Sequence, residues 1–284
     1  MRIRLRYSKH GKVRFTSHRD VARIWERVLR RAELPLARTE GFSPRPKMHF
    51  GLALSTGHES LGEYLDVDLR EPEADEVDLG MLPERLSPLL PPGIEVEAVS
   101  VINRSDPSLQ EAVTSCVWRI EVPGQSVDSL TSAVAAMLAA DAIPVVRERK
   151  GKQVADDLRP GIMHLRVLGS TPDDAPETGA VFEAELATQP RSIRPAELLA
   201  AFDPPLPEGR VCRIFQWIND NGATREPLSP GAPLMASAVA DASREDYPDD
   251  RSHGRTDNAD DTVTADSAAD TTADPSTDSA YDFV

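Results

Sequence analysis

Residues 2–7 alternate without a break, with Arg2, Arg4 and Arg6 in one set and Ile3, Leu5 and Tyr7 in the other. A period of two marks a strand with one apolar face to bury, because successive side chains of an extended chain point to opposite sides. The fold must therefore supply a cover for Ile3, Leu5 and Tyr7. The next segment has the shape for it. Val21, Trp25, Val28, Leu29 and Ala32 recur at helical spacing, which gives one apolar stripe. Ser17 precedes them with Asp20 three residues on, a capping box with Asp in place of Glu. Pro35 is expected to end that helix. Between strand and helix, His10-Gly11 reads as a turn and residues 12–15 as the second arm of a hairpin.

Further along, apolar alternation predicts strands at 48–54, 64–69 and 94–101 and a helix near 74–86. Leaving the hairpin aside, the order is β, α, β, β, α, β, which is the ferredoxin-like order. It recurs with a strand at 114–122, a helix at 127–140, strands at 144–148, 162–168 and 181–187, a helix at 195–202 and a strand at 210–218. This second pass carries one strand too many. The chain is thus expected to be α+β: two ferredoxin-like (βαββαβ) domains in tandem, stacked, at 1–105 and 113–218. From residue 219 to 284, Gly, Pro and Ser give way to Asp, Thr, Ala and Ser. Such a one-signed, apolar-poor segment cannot bury enough surface to offset its chain entropy. It is expected to be a disordered acidic tail, with Tyr281-Asp282-Phe283-Val284 as a short docking motif.

The formal net charge of −15 hides a strong asymmetry. Residues 1–50 hold fourteen Lys/Arg against four Asp/Glu, whereas residues 241–284 hold three Arg against thirteen Asp/Glu. A basic head on an acidic chain points to an anionic partner. The helix carries Arg19, Arg23, Arg27 and Arg30 or Arg31 about one turn apart. Beside the strand arginines and Lys12/Arg14 they are expected to form a continuous positive surface. Guanidinium forks suit phosphate; the plainer alternative is a solvated helix face with Glu26 as partner. In the loop Gly41-Phe42-Ser43-Pro44-Arg45-Pro46-Lys47, two prolines stiffen the backbone around Arg45. Phe42 is there either to stack on a base or to plug the loop onto the sheet. The candidate nucleic-acid or phosphate contacts are Arg14, Arg19, Arg23, Arg27, Arg30, Phe42, Arg45 and Lys47. A smaller basic group, Arg147, Arg149, Lys150, Lys152 and Arg159, reads as a solvated hairpin.

Candidates for catalysis are few. His18 is the one acid/base candidate, and no HxH or HExxH spacing predicts a metal. Glu63 and Asp66 are expected to pair with the arginines of the basic head. Cys116 and Cys212 have no CxxC spacing, which excludes a zinc ribbon or an iron–sulfur loop. If the second domain is ferredoxin-like, its first and last strands are neighbours and the two thiols lie close together, buried. No cofactor is predicted. The charged N-terminus lacks the apolar region of a secretory signal and no apolar run approaches a membrane span, so a cytoplasmic location is expected.

Ser17, His18, Asp20, Glu26, Arg27, Arg30, Arg31, Ala32, Leu34, Pro35, Gly41, Phe42, Pro44, Pro46, Lys47, Phe50, Gly51, Gly57, Ser60, Glu63 and Tyr64 together make a specific pattern. It resembles that of the radical SAM-linked proteins, a family of unknown function. Similarity continues more loosely to about residue 217. Thr39-Glu40 departs from the pattern, and Glu40 dilutes the positive loop. In many relatives this domain is the C-terminal part of a radical S-adenosylmethionine protein. The resemblance therefore implies a radical SAM enzyme as partner in trans, with no cofactor held here. Three readings stand open. The first is a non-catalytic module that presents a structured RNA to that partner. The second is an RNA-processing enzyme using His18. The third is a protein–protein adaptor.

Overall fold

A computed structural model describes residues 1–149, 151–220 and 222–228. In the first half the chain forms β1 (Arg2–Lys9), α1 (His18–Arg31), β2 (Met48–Phe50), β3 (Glu59–Asp68), α2 (Leu82–Leu86) and β4 (Val96–Ile102). These strands lie in the order β4-β1-β3-β2, each antiparallel to its neighbour. The second half forms α3 (Leu109–Ala112), β5 (Val113–Pro123), α4 (Val127–Ala139), β6 (Pro144–Arg149), β7 (Lys152–Asp157), β8 (Ile162–Ser170), β9 (Gly179–Ala187), α5 (Pro195–Ala200), β10 (Val211–Asp220) and β11 (Ala223–Arg225). Here the order is β10-β5-β9-β8, again antiparallel throughout.

The halves join edge to edge. β10 runs parallel to the start of β3, with Cys212 opposite Glu59 and Arg213 opposite Ser60. β2 pairs with the end of the same edge of β3. The result is one nine-stranded, mostly antiparallel sheet rather than two stacked ones. β6 and β7 pair only with each other, which accounts for the surplus strand of the second half.

Each half has its own core on the helix-covered side of the sheet. α1 lays Val21, Trp25, Val28 and Leu29 over Ile3, Leu5, Tyr7, Leu65 and Val67. Trp25 is wholly buried and meets the Tyr7 ring edge-on at 4.9 Å. The cap is as expected: the Asp20 N–H donates to Ser17 Oγ at 3.3 Å, and Ser17 Oγ–H donates to Asp20 Oδ2 at 2.8 Å.

Three local expectations fail, each for a physical reason. Residues 12–15 are not a hairpin arm. Both edges of β1 are taken by β3 and β4, so Gly11–Phe15 coils into a 3-10 turn instead. The helix at 74–86 is broken, with a 3-10 turn at Glu73–Glu76 and α2 beginning only at Leu82, after Gly80. By contrast, α1 runs as expected between the caps Ser17 and Ala32, with Pro35 three residues beyond, and the chain turns there with Glu33 in the left-handed region at φ 55°. The segment assigned to the tail from residue 219 is folded as far as 228. Asn219 and Asp220 end β10, β11 pairs back onto it, and Leu228 is buried against Tyr64, Ala98 and Leu109. Residues 229–284, with Tyr281–Val284, lie outside the described residues, as does Lys150.

Candidate nucleic-acid interface

The sheet divides the basic head in two. Alternation along β1 puts Arg2, Arg4 and Arg6 on the face away from Ile3, Leu5 and Tyr7, and α1 covers the latter. The strand arginines and the helix arginines therefore lie on opposite sides of the sheet. The expected continuous surface does not exist.

The strand arginines are also spent. Arg4 Nε and Nη2 donate to Asp66 Oδ1 and Oδ2 at 2.7 and 2.8 Å, and Arg4 is 4 % exposed. Arg2 makes the same fork to Asp68 at 2.7 and 3.1 Å. Burial tends to raise the Asp68 pKa, but the bond and charge of Arg2 outweigh it, so this carboxyl stays below its ordinary range. Arg6 sits 3.2 Å from Glu226 and 3.3 Å from Glu97. The segment 226–228 closes over this face, where the Pro227 carbonyl accepts from Arg4 Nη1 at 2.9 Å. Asp66 thus meets its expected arginine, whereas Glu63 pairs with Arg213 of β10.

On the other side, α1 presents its cations to solvent. Arg19, Arg23, Arg27, Arg30 and Arg31 are all exposed. Arg23 is bonded to Asp20 at 3.0 Å. Arg27 Nε donates to the Arg23 carbonyl at 3.2 Å. Arg27, Arg30 and Arg31 form no ion pair with a carboxylate among the described residues, and Arg19 lies close enough to Asp20 for its charge to help lower that carboxyl's pKa. Arg27 and Arg31 also border an open groove of about 400 Å³ floored by Ile24, Val28, Leu89, Leu90 and Pro91.

Residues 36–47 form a second cationic projection. Bridges join Leu36 to Leu69 and Arg38 to Pro46. The Thr39 N–H donates to the Arg45 carbonyl and the Lys47 N–H to the Ala37 carbonyl, both at 2.9 Å. The Arg45 N–H is held by Thr39 Oγ1 at 3.1 Å. Gly41, at φ 120°, makes the sharp turn at the tip. Pro46 is buried, so alternation leaves Arg45 and Lys47 facing out. Phe42 is fully exposed at the tip and plugs nothing.

Arg14 does not join either group. Its Nη1 donates to Glu59 Oε1 at 3.0 Å, and its guanidinium lies over the Phe15 ring at 4.7 Å. His18 is exposed at the first turn of α1, edge-on to Phe50 at 5.0 Å. It stands beside a cleft of only about 20 Å³ that is also lined by Tyr7, Lys9 and Glu63, enough for about one water. Lys9 is buried there, its ammonium donating to the Arg14 and Thr16 carbonyls at 3.1 and 3.3 Å. Burial lowers its pKa. Burial likewise pushes the Tyr7 phenol well up. Sequence patterning missed this buried set. Lys9 continues the alternation of β1, yet the charge of the basic head made every cation look like surface.

In the second half, Arg147 is paired with Asp156 at 3.0 Å, and Arg159 donates to the carbonyls of Leu138, Ala140 and Ile162. Lys152 of the same group is exposed. β5 and β10 are neighbours, but Cys116 registers with Gln216 and Cys212 with Arg119. The thiols are therefore offset along the strands, and both are free. Among the described residues, no helix is long and apolar enough to cross a membrane, and no group of three or more His, Cys, Asp or Glu is placed to hold a metal.

Fold and site define an α+β protein with a large mixed sheet and an exposed cationic helix on its first half. Residues 2–207 match a family described as an uncharacterized protein conserved in bacteria (DUF2344), and the chain belongs to it. The matched region takes in α1, the 36–47 projection and strands β1 to β9, and stops short of β10 and β11. No curated protein matches the chain.

Proposed function

We propose that this protein is a non-catalytic RNA-binding module that holds its substrate for a partner enzyme. One observation carries the reading. Arg27, Arg30, Arg45 and Lys47 are exposed and form no ion pair with a carboxylate among the described residues, and Arg19 is exposed beside Asp20, in a chain of formal net charge −15. Elsewhere in the basic head the arginines of β1, together with Arg14, have been neutralised by Asp or Glu. The sparing of Arg27 and Arg30 on α1 and of Arg45 and Lys47 on the 36–47 projection suits contact with phosphates, where each displaced counterion contributes to affinity.

The partner we propose is a radical SAM enzyme acting in trans, a reading supported by the resemblance of the 17–64 pattern to radical SAM-linked proteins. The strand orders β4-β1-β3-β2 and β10-β5-β9-β8 support reading each half as a ferredoxin-like domain, the second carrying β6–β7 as an insertion. A cytoplasmic setting follows from the same reading.

Filter binding of the full chain to total RNA at several salt concentrations tests the RNA reading. The expectation is an affinity that falls steeply with salt. When Arg19, Arg27 and Arg30 are changed to Glu, the slope should become shallower by roughly 0.7–0.9 for each phosphate that is no longer neutralised. An affinity without salt dependence, or one unmoved by that triple change, overturns it. Co-purification of a radical SAM enzyme after nuclease treatment tests the partner.

A second reading, catalysis by His18, is favoured by its place at the lip of the cleft containing Lys9, Tyr7 and Glu63. RNA cleavage lost in His18→Ala with binding retained would establish it in place of the first.

A further inference from the structure

We infer that the 36–47 projection selects RNA with unpaired nucleotides, the ring of Phe42 stacking on an extruded base while Arg45 and Lys47 hold the adjoining backbone. The inference rests on the RNA-binding reading above and names the class of RNA.

Two phenylalanines among the described residues are strongly exposed, and they differ in a telling way. Phe15 is 63 % exposed, but Arg14 already covers its face. Phe42 is exposed beyond the extended-chain reference, at 111 %, and no ring or cation of the described residues lies against it. A large apolar ring in water is a standing opportunity for burial. The projection beneath it is not a slack loop. Two ladder bonds, the Thr39 side chain and two prolines fix its backbone, so little ordering entropy opposes binding.

The chemistry around the ring selects the partner. Arg38, Arg45 and Lys47 flank it against Glu40 alone. A π-face between cations fits a nucleobase whose own phosphates lie on either side. In a uniform duplex the bases are stacked inside and only the phosphates would be reached, so Phe42 would contribute nothing. Single strands, loops and bulges present a free base face.

Fluorescence anisotropy of the full-length chain with a labelled 12-nucleotide single-stranded RNA and with a 12-base-pair RNA duplex tests this. The single strand is expected to bind more tightly than the duplex. Phe42→Ala should weaken single-strand binding about tenfold, as loss of one base–aromatic stack does, and leave duplex binding and the salt slope unchanged. Phe42→Trp should retain the preference. A 2-aminopurine in the single strand should be quenched by the native chain and not by Phe42→Ala. Equal affinity for the two probes, or single-strand binding indifferent to Phe42→Ala, overturns the inference while leaving salt-dependent RNA binding standing. Binding to neither probe overturns both.

Discussion

Arg213 on β10 donates from both Nε and Nη2 to a single oxygen, Oε1, of Glu63 on β3. The pair lies at the fork where β2 and β10 share one edge of β3, and Arg213 Nη2 also donates to the Leu52 carbonyl at 2.9 Å. Its guanidinium is 5.3 Å from the Trp118 ring centroid. Arg213 is 1 % exposed and Glu63 7 %. Burial alone would lower the arginine pKa. The charge of Glu63 outweighs it, and the arginine is held above its ordinary value. The two halves of the sheet are thus joined by a charge pair that neither half contains alone.

Removing one partner strands a buried charge. Glu63→Gln and Arg213→Met are each expected to lower stability by about 3–5 kcal/mol. The double variant Glu63→Leu/Arg213→Met should recover most of that loss. Urea midpoints of the full chain, with the m-value checked for constancy, measure it.

Trp25 anchors α1 to the sheet. Trp25→Ala leaves a cavity against Tyr7 and is expected to cost about 3–5 kcal/mol, whereas Arg27→Ala on the exposed side of the same helix should change stability by less than about 0.5 kcal/mol. Thermal or urea unfolding of the two variants gives the comparison directly.

The Arg2–Asp68 fork makes stability depend on pH. The folded-state pKa of Asp68 lies below its ordinary value of 3.8. The ionised carboxylate therefore favours the folded state above that value, and the contribution is lost as pH falls through the folded pKa. Asp68→Asn should be less stable than the native chain at pH 7 and should converge with it in strong acid. Unfolding midpoints across pH 2 to 7 would reveal the opposite trend as readily as this one.

Both thiols should be slow to react in the native protein. Burial pushes Cys116 up to about 11 and Cys212 up to about 12, so almost no thiolate is present near neutrality. Titration with a thiol-specific reagent at pH 7.5 should show no fast-reacting cysteine until denaturant is added, and then two.

The candidate site was legible to the extent that it depends on local geometry. Helical spacing correctly set the buried side of α1, and so its exposed arginines. The proline-flanked loop reads as stiff and cationic from its sequence alone, and the structure removes one of its two readings by leaving Phe42 in solvent. What local pattern could not supply was which charges cancel. Arg4 and Arg19 are the same residue type in the same basic run, yet Arg4 faces Asp66 across a strand pair and Arg19 faces water.

By itself, then, the sequence determined the period-two face of β1, the apolar stripe and cap of α1, most strand positions and the excess charge of the head. These follow from covalent periodicity and hold in any fold that uses the segments. Tertiary structure alone decided that β1 is a central strand, so that residues 12–15 coil. It decided that the sheet stands between the strand arginines and the helix arginines, and that residues 226–228 close over the former. It also put Glu63 with Arg213 rather than with an arginine of the head. Each is a pairing between residues far apart in sequence, fixed by strand order and register, and periodicity along the chain carries no information about which distant strand will lie alongside.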